Sequence, residues 1–337
     1  MIAALFIAAL FLLPPFAAPH PSVQRPAIIN SSVIFSPAMA ASPIAGDPAT
    51  PRSTGNQPAN PAQPSDTSAE SGAGSPISEQ EALERLRQSD DPSQQYYGAW
   101  WLGRMRSQHP EAVPLLQLAL RQRRPRDPGA GVEENAVARN AARALGKLAP
   151  AARAAISDLL EVLDDPDDGL REAAARALGE LQAKEAVPAL CRRLASGLAG
   201  AGAPQPGSPR LMEPCEALLE ALGDIGVASP DVLAVVKPFV QHERPLIRSA
   251  AARTLLQLSG DGHWGALLVE LLDHPQLQVR RAALMDLGAA GWRPALEPIR
   301  RTLAENSLKL IALRGLVEQG QGTPDVEDLL QCMDDLL

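Results

Sequence analysis

Tyr96, Tyr97, Trp100 and Trp101 fall within the segment YYGAWWLG, and they include both tyrosines and two of the four tryptophans of a chain that is only 3% aromatic. On a helix, residues four apart share a face, so Tyr96 stands over Trp100 and Tyr97 over Trp101 on adjoining faces. One pair can enter a core. The other is left near the surface, where aromatic area serves a partner protein or a flat ligand. Arg104, one turn after Trp100, adds a planar cation suited to a carboxylate.

A second set of candidates recurs near the start of successive helical segments: Arg139 with Asn140, Arg171, Arg248, and Arg280 with Arg281. Arginines in such places pair with turn aspartates or with terminal carbonyls of a neighbouring repeat, or else they reach a ligand directly. Nothing in the chain has the spacing of a metal site. The histidines, His20, His109, His242, His263 and His274, form no HxxxH or HExxH pair, and His242 and His274 fall in matching turns, which suits a capping role. Cys191, Cys215 and Cys332 are far apart and odd in number, with no CxxC, so neither a disulfide framework nor a zinc site is expected. Cys215 reads as a buried thiol or as a transient covalent carrier. No residue is marked as a catalytic base.

The elements that must position these residues are helical. Leu and Ala dominate, β-branched residues are scarce, and no alternating run indicates a sheet. A net charge of -8 disfavours nucleic acid as a partner, since phosphate neutralisation needs a positive stripe.

Residues 1–77 differ in kind from the rest. Ile2 to Leu13 is an apolar run too short to span a bilayer and without a preceding basic residue, so stable membrane insertion is not expected and export is only weakly indicated. Thirteen prolines follow between Pro14 and Pro76, in a composition that buries too little apolar surface to offset chain entropy. The expectation is a disordered tail, or an extension from an early translation start, and a cytoplasmic protein. Folded structure should begin at Ser78, which opens the capping box Ser78-Glu79-Gln80-Glu81.

From there to Leu337 one unit recurs, clearest in Asp165 to Ala195 as turn, helix, turn, helix. Leu170, Ala174, Ala177, Leu178 and Leu181 make the apolar stripe of its first helix, and Val187, Leu190, Cys191 and Leu194 that of its second. A Leu-Gly pair ends the first helix at Gly103, Gly146, Gly179, Gly223 and Gly288, with Leu256-Gln257 in the same place elsewhere. Longer intervals hold insertions, Gln122 to Glu134 and Ser196 to Arg210, expected as edge loops. The first of these is arginine-rich, with Arg123, Arg124 and Arg126. Because one helical pair cannot bury its stripe alone, about seven pairs predict an all-α, HEAT-like α-solenoid over residues 78–337. Its second helices are expected to line the binding face, which would put Arg192, Arg193, Arg300, Arg301 and Asp158 there.

YYGAWWLGRMRSQHPEAVPLL, RNAARALGKL, VRRAALMDLGAAGW and AENSLKLIALRGL, in that order, resemble the phycobilisome-lyase HEAT-like repeat family, and within it the CpcE-type subunits of heterodimeric phycocyanobilin lyases. The likeness spans Ser78 to Leu337. It implies a lyase that attaches phycocyanobilin by a thioether to a cysteine of the phycocyanin α-subunit, working with a CpcF-type HEAT-like subunit. It implies no tightly bound cofactor, phycocyanobilin being the substrate. On this reading Tyr96, Tyr97, Trp100, Trp101, Arg104, Arg139, Asn140, Arg171, Arg280 and Arg281 are the candidates for bilin or partner contact. The alternative is a non-catalytic scaffold or chaperone for phycobiliproteins.

Overall fold

A computed structural model describes residues 77–125, 135–320 and 322–337. The expected tail, Ile77 apart, lies outside them, as do Arg126 and the rest of the loop to Glu134. The described residues form helices in two rows. First helices are α2 (Pro92–Arg104), α4 (Ala136–Lys147), α6 (Asp168–Glu180), α8 (Cys215–Ile225), α10 (Pro245–Ser259), α12 (Leu277–Ala290) and α14 (Asn306–Gln319). Second helices are α3 (Ala112–Arg121), α5 (Ile156–Val162), α7 (Val187–Leu194), α9 (Pro230–Val236), α11 (Gly262–Leu271), α13 (Leu296–Arg301) and α15 (Val326–Leu336). Short α1 (Glu79–Arg87) comes before both rows. Among the described residues no strand forms; an isolated bridge joins Pro204 to Leu211.

The seven pairs stack as the repeat pattern requires. Each first helix lies against the next first helix, and each second helix but the last packs onto the first helix that follows it. Leu170, Ala174, Ala177, Leu178 and Leu181 are all buried, so the stripe read from the sequence is the core-facing one. Ser78 caps α1 by accepting the Glu81 amide, while Glu81 turns its carboxylate to Arg85.

The Leu-Gly pairs act differently from the expected helix stop. A Cβ built on Gly103 would lie 2.8 Å from the Ala144 Cα, and one on Gly146 2.8 Å from the Ala177 Cα. Gly179 and Gly288 meet Ala221 and Ala312 in the same way. Missing side chains therefore let neighbouring first helices approach backbone to backbone. Helices α8, α10 and α12 end instead on Gly226, Gly260 and Gly291, each left-handed. Gln257, in the glycine's place on α10, donates across to the Ala289 carbonyl.

Arginines tie the turns. Arg171 donates to the Asp165 and Pro166 carbonyls of its own turn and to the Met212 carbonyl and Glu213 carboxylate of the next. Arg280 repeats this on His274 and Pro275 of its own turn and Leu303 of the next, and Arg248 holds His242 and Glu243. In three turns a histidine Nδ1 accepts the amide two residues on: His109 from Glu111, His242 from Arg244 and His274 from Gln276. That is the capping role expected of His242 and His274.

Candidate functional site

On α2, Gln95, Gly98, Ala99, Leu102 and Gly103 form the buried face. Gly98 lets α1 come close, since a Cβ there would sit 2.6 Å from the Ala82 carbonyl oxygen. Helix α1 thus covers this end of the array, a duty the aromatics could otherwise have had. Tyr96, Tyr97 and Trp100 remain 42%, 39% and 42% exposed, and Trp101 is half-buried, so neither aromatic pair goes fully into the core. The ring contact joins Tyr97 to Trp100, three apart, with centroids 5.5 Å from each other. The Arg85 guanidinium lies 5.2 Å from the Tyr97 ring centre, a cation on a π face. Asn140 of α4 donates to the Tyr96 carbonyl at 2.8 Å and anchors the block to the next repeat.

A groove of about 470 Å³ runs along α4, α6, α8 and α10. It lies on first helices, not on the second row as expected. Arg193 and Asp158 of the second row are occupied elsewhere, the first by Asp164 and Glu213 and the second by Gln117 and Arg121. Arg300 and Arg301 pair with Glu297 on their own helix, and Arg192 is exposed.

The Ser196–Arg210 insertion, continuing to α8, builds one wall. Gln205 pairs with Arg210, Met212 with Ala203 and Glu213 with Ala201 through the backbone, so the segment is a bent hairpin. Cys215 Sγ donates to the Ala201 carbonyl, and His242 Nε2 lies 3.0 Å from the Gly202 carbonyl. The hairpin is thereby fastened to α8 and to the turn before α10. Arg210 then reaches Asp168 across the groove at 3.1 Å. Sequence reading missed this wall because Gly and Pro content signals a loop without saying what the loop covers.

Charges in the groove are crowded. Arg176 contacts Glu172, Glu216 and Glu220. Deeper on the same row, Arg253 pairs with Asp224 and Asp286. Burial, with Glu220 beside it, pushes the Glu216 acid up to about 7 against the pull of Arg176. Asp286 is likewise raised by burial although Arg253 opposes it. Burial alone would raise Asp167, but hydrogen bonds from Asn135 and the Leu170 and Gly169 amides, with the Arg139 guanidinium, hold it below its ordinary value. Burial drives the Cys215 thiol up to about 12, so at neutral pH it is a poor nucleophile.

The sequence-based candidates separate into groups. Tyr96, Tyr97, Trp100 and Arg104 present exposed surface together on α2, with half-buried Trp101 beside them. Arg171 and Arg280 spend their donors on inter-repeat turns, Arg139 pairs with Asp167 at 3.3 Å, and Arg281 binds Glu305. Among the described residues no group of His, Cys, Asp and Glu is placed to hold a metal, and no helix is long and apolar enough to cross a membrane.

The family model described as PBS lyase HEAT-like repeat matches residues 94–122 and 279–305, and a HEAT-repeat model matches residues 131–199. The bilin biosynthesis protein RpcE of Synechococcus sp. (strain WH8020) is 50% identical over 262 residues, 78% of this chain and 96% of that protein. The phycocyanobilin lyase subunit alpha of Picosynechococcus sp. is 44% identical over 264 residues, 77% of this chain and 96% of the relative. Among solved structures, the complex of CpcE and CpcF of phycocyanin lyase from Nostoc sp. PCC7120 aligns with a TM-score of 0.70 at 41% identity. That alignment covers 81% of this chain and 100% of the other.

Proposed function

The chain belongs to the PBS lyase HEAT-like repeat family, and from that premise we propose that it is one subunit of a heterodimeric bilin lyase. With a CpcF-type HEAT-like subunit it attaches phycocyanobilin to a cysteine of the phycocyanin α-subunit. The observation that carries this reading is 50% identity across 96% of a bilin biosynthesis protein, on a helical array that superposes on a phycocyanin lyase complex. The working unit is residues 78–337.

The chemistry asks little of the lyase beyond placement. The acceptor's S–H bond breaks, its sulfur bonds to the ethylidene carbon of the bilin, and the double-bond electrons take up a proton at the adjoining ring carbon. No redox step or resident nucleophile is needed, so rate comes from holding thiol and ethylidene in register. Exposed Tyr96, Tyr97 and Trp100 offer faces for a conjugated tetrapyrrole, with half-buried Trp101 beside them on α2. The Cys215 thiol, buried and raised, has no part in the transfer.

Co-expression with a CpcF-type subunit, apo phycocyanin α-subunit and phycocyanobilin tests this. Chromophore that stays on the acceptor in acid urea is expected, and its absence with a soluble heterodimer would overturn the reading.

A further inference from the structure

Most arginines bordering the groove are engaged: Arg139 with Asp167, Arg176 with Glu220, Arg210 with Asp168. Arg143 of α4, also on the groove, is not, and neither is Arg104 of α2, which lies outside it: no ion pair or hydrogen bond holds either guanidinium among the described residues. Arg104 is exposed and Arg143 half-buried. They are held in one neighbourhood by the tightest helix approach in the region. A Cβ on Gly103, next to Arg104, would lie 2.8 Å from the Ala144 Cα, next to Arg143, and 3.7 Å from the Lys147 Cδ. Arg106 joins them by donating to the Lys147 carbonyl.

Three arginines thus converge on Lys147. Half-burial depresses its ammonium; Glu180 opposes this, while Arg104, Arg143 and Arg106 add to it. Glu180 is the facing acid, and burial pushes it up to about 7, so near neutrality it supplies only part of a counter-charge. A chain of net charge -8 has acid to spare, yet among the described residues leaves Arg104 and Arg143 without a paired carboxylate. Like charges this close repel, and a ligand anion would relieve the repulsion. Trp100, one turn before Arg104 and 42% exposed, puts a flat apolar face beside the knot. Guanidinium pairs next to an aromatic ring match a planar molecule with carboxylate side arms.

We propose that Arg104 and Arg143, with Lys147 beside them, seat a propionate carboxylate of the bilin while its rings lie along the α2 aromatics. This rests on the lyase reading and adds the anchor that fixes which way the tetrapyrrole points.

The test uses the heterodimer, titrated with free-acid phycocyanobilin and with its dimethyl ester, which keeps the rings and removes both charges. Wild type should bind the acid about tenfold or more tightly than the ester, the scale of one charge-assisted hydrogen-bonded contact. Arg104→Gln and Arg143→Gln should each shrink that ratio towards one, leave ester affinity unchanged and leave Tm unchanged. Arg143→Lys, which keeps charge but not the fork, should restore part of it. An acid-to-ester ratio in both glutamine variants equal to wild type would overturn the seat, even if wild type still loads acceptor. Weakened heterodimer or acceptor binding with that ratio intact would also overturn it, assigning the cations to an acidic protein segment. A wild type that binds neither form and makes no adduct would remove the lyase reading itself.

Discussion

Gly103 and Ala144 hold two repeats at a separation that admits no side chain, a Cβ on the glycine falling 2.8 Å from the alanine Cα. Gly103→Ala should therefore force α2 away from α4 and cost about 1–3 kcal/mol, as overpacking of a close contact does. Urea unfolding of residues 78–337 measures it; an unchanged midpoint would mean the helices slide without penalty. Transfer should fall in this variant even where the fold is intact, because the same contact sets Arg104 against Lys147.

Arg171 is buried, and its guanidinium spans two turns. Arg171→Ala leaves the Asp165, Pro166 and Met212 carbonyls without this donor while Glu213 keeps Arg193, and a loss of about 1–3 kcal/mol is expected. Lysine cannot fork to both turns and should recover little of it. Exposed Arg104 is the control: Arg104→Gln should leave Tm unchanged while transfer declines. Equal Tm losses in Arg171→Ala and Arg104→Gln would contradict this division of labour.

Glu180 makes stability depend on pH. Burial raises its acid from an ordinary 4.5 to about 7, against Lys147, Arg106 and Arg176 and with help from Asp224. The folded state then binds the proton more tightly than the unfolded chain, so this contribution is complete below about pH 4.5 and lost as pH climbs through 7. Tm should fall between pH 5 and 8 in wild type and fall less in Glu180→Gln. Some slope should persist in the variant, because Glu216, Asp224 and Asp286 are raised in the same sense. Parallel curves for the two proteins would refute the assignment.

Cys215 gives a negative prediction for chemistry and a positive one for structure. Its thiol donates to the Ala201 carbonyl and is raised to about 12 by burial. Cys215→Ser, which keeps a donor, should load acceptor at the wild-type rate. Cys215→Val, which removes the donor beneath the hairpin, should lower Tm and increase amide exchange across residues 196–214. A bilin adduct on Cys215 found by mass spectrometry would reverse this.

How much the sequence disclosed varied with how local the cause was. The stripe Leu170, Ala174, Ala177, Leu178 and Leu181 follows from helix periodicity, and all five are buried as read. His242 and His274 cap turns two residues on, another short-range effect. The Leu-Gly pairs were visible but misassigned, because a glycine near a helix end looks alike whether it stops the helix or admits a neighbour. Only the partner helix, Ala144 against Gly103, distinguishes the two. The groove was illegible for the same reason: Arg210 and Asp168 are 42 residues apart, and their pairing depends on a hairpin no periodicity describes. Arg143 drew no notice because an unpaired cation is defined by what fails to reach it.

The hairpin touches three successive repeats, through Arg171 of α6, Cys215 of α8 and His242 in the turn before α10. An array of stacked repeats can open from either end one unit at a time. A fastener across three units makes the middle cooperative. Amide exchange should be slowest in α6, α8 and α10 and quicken toward α1 and α15, and refolding should nucleate at the hairpin and spread outward.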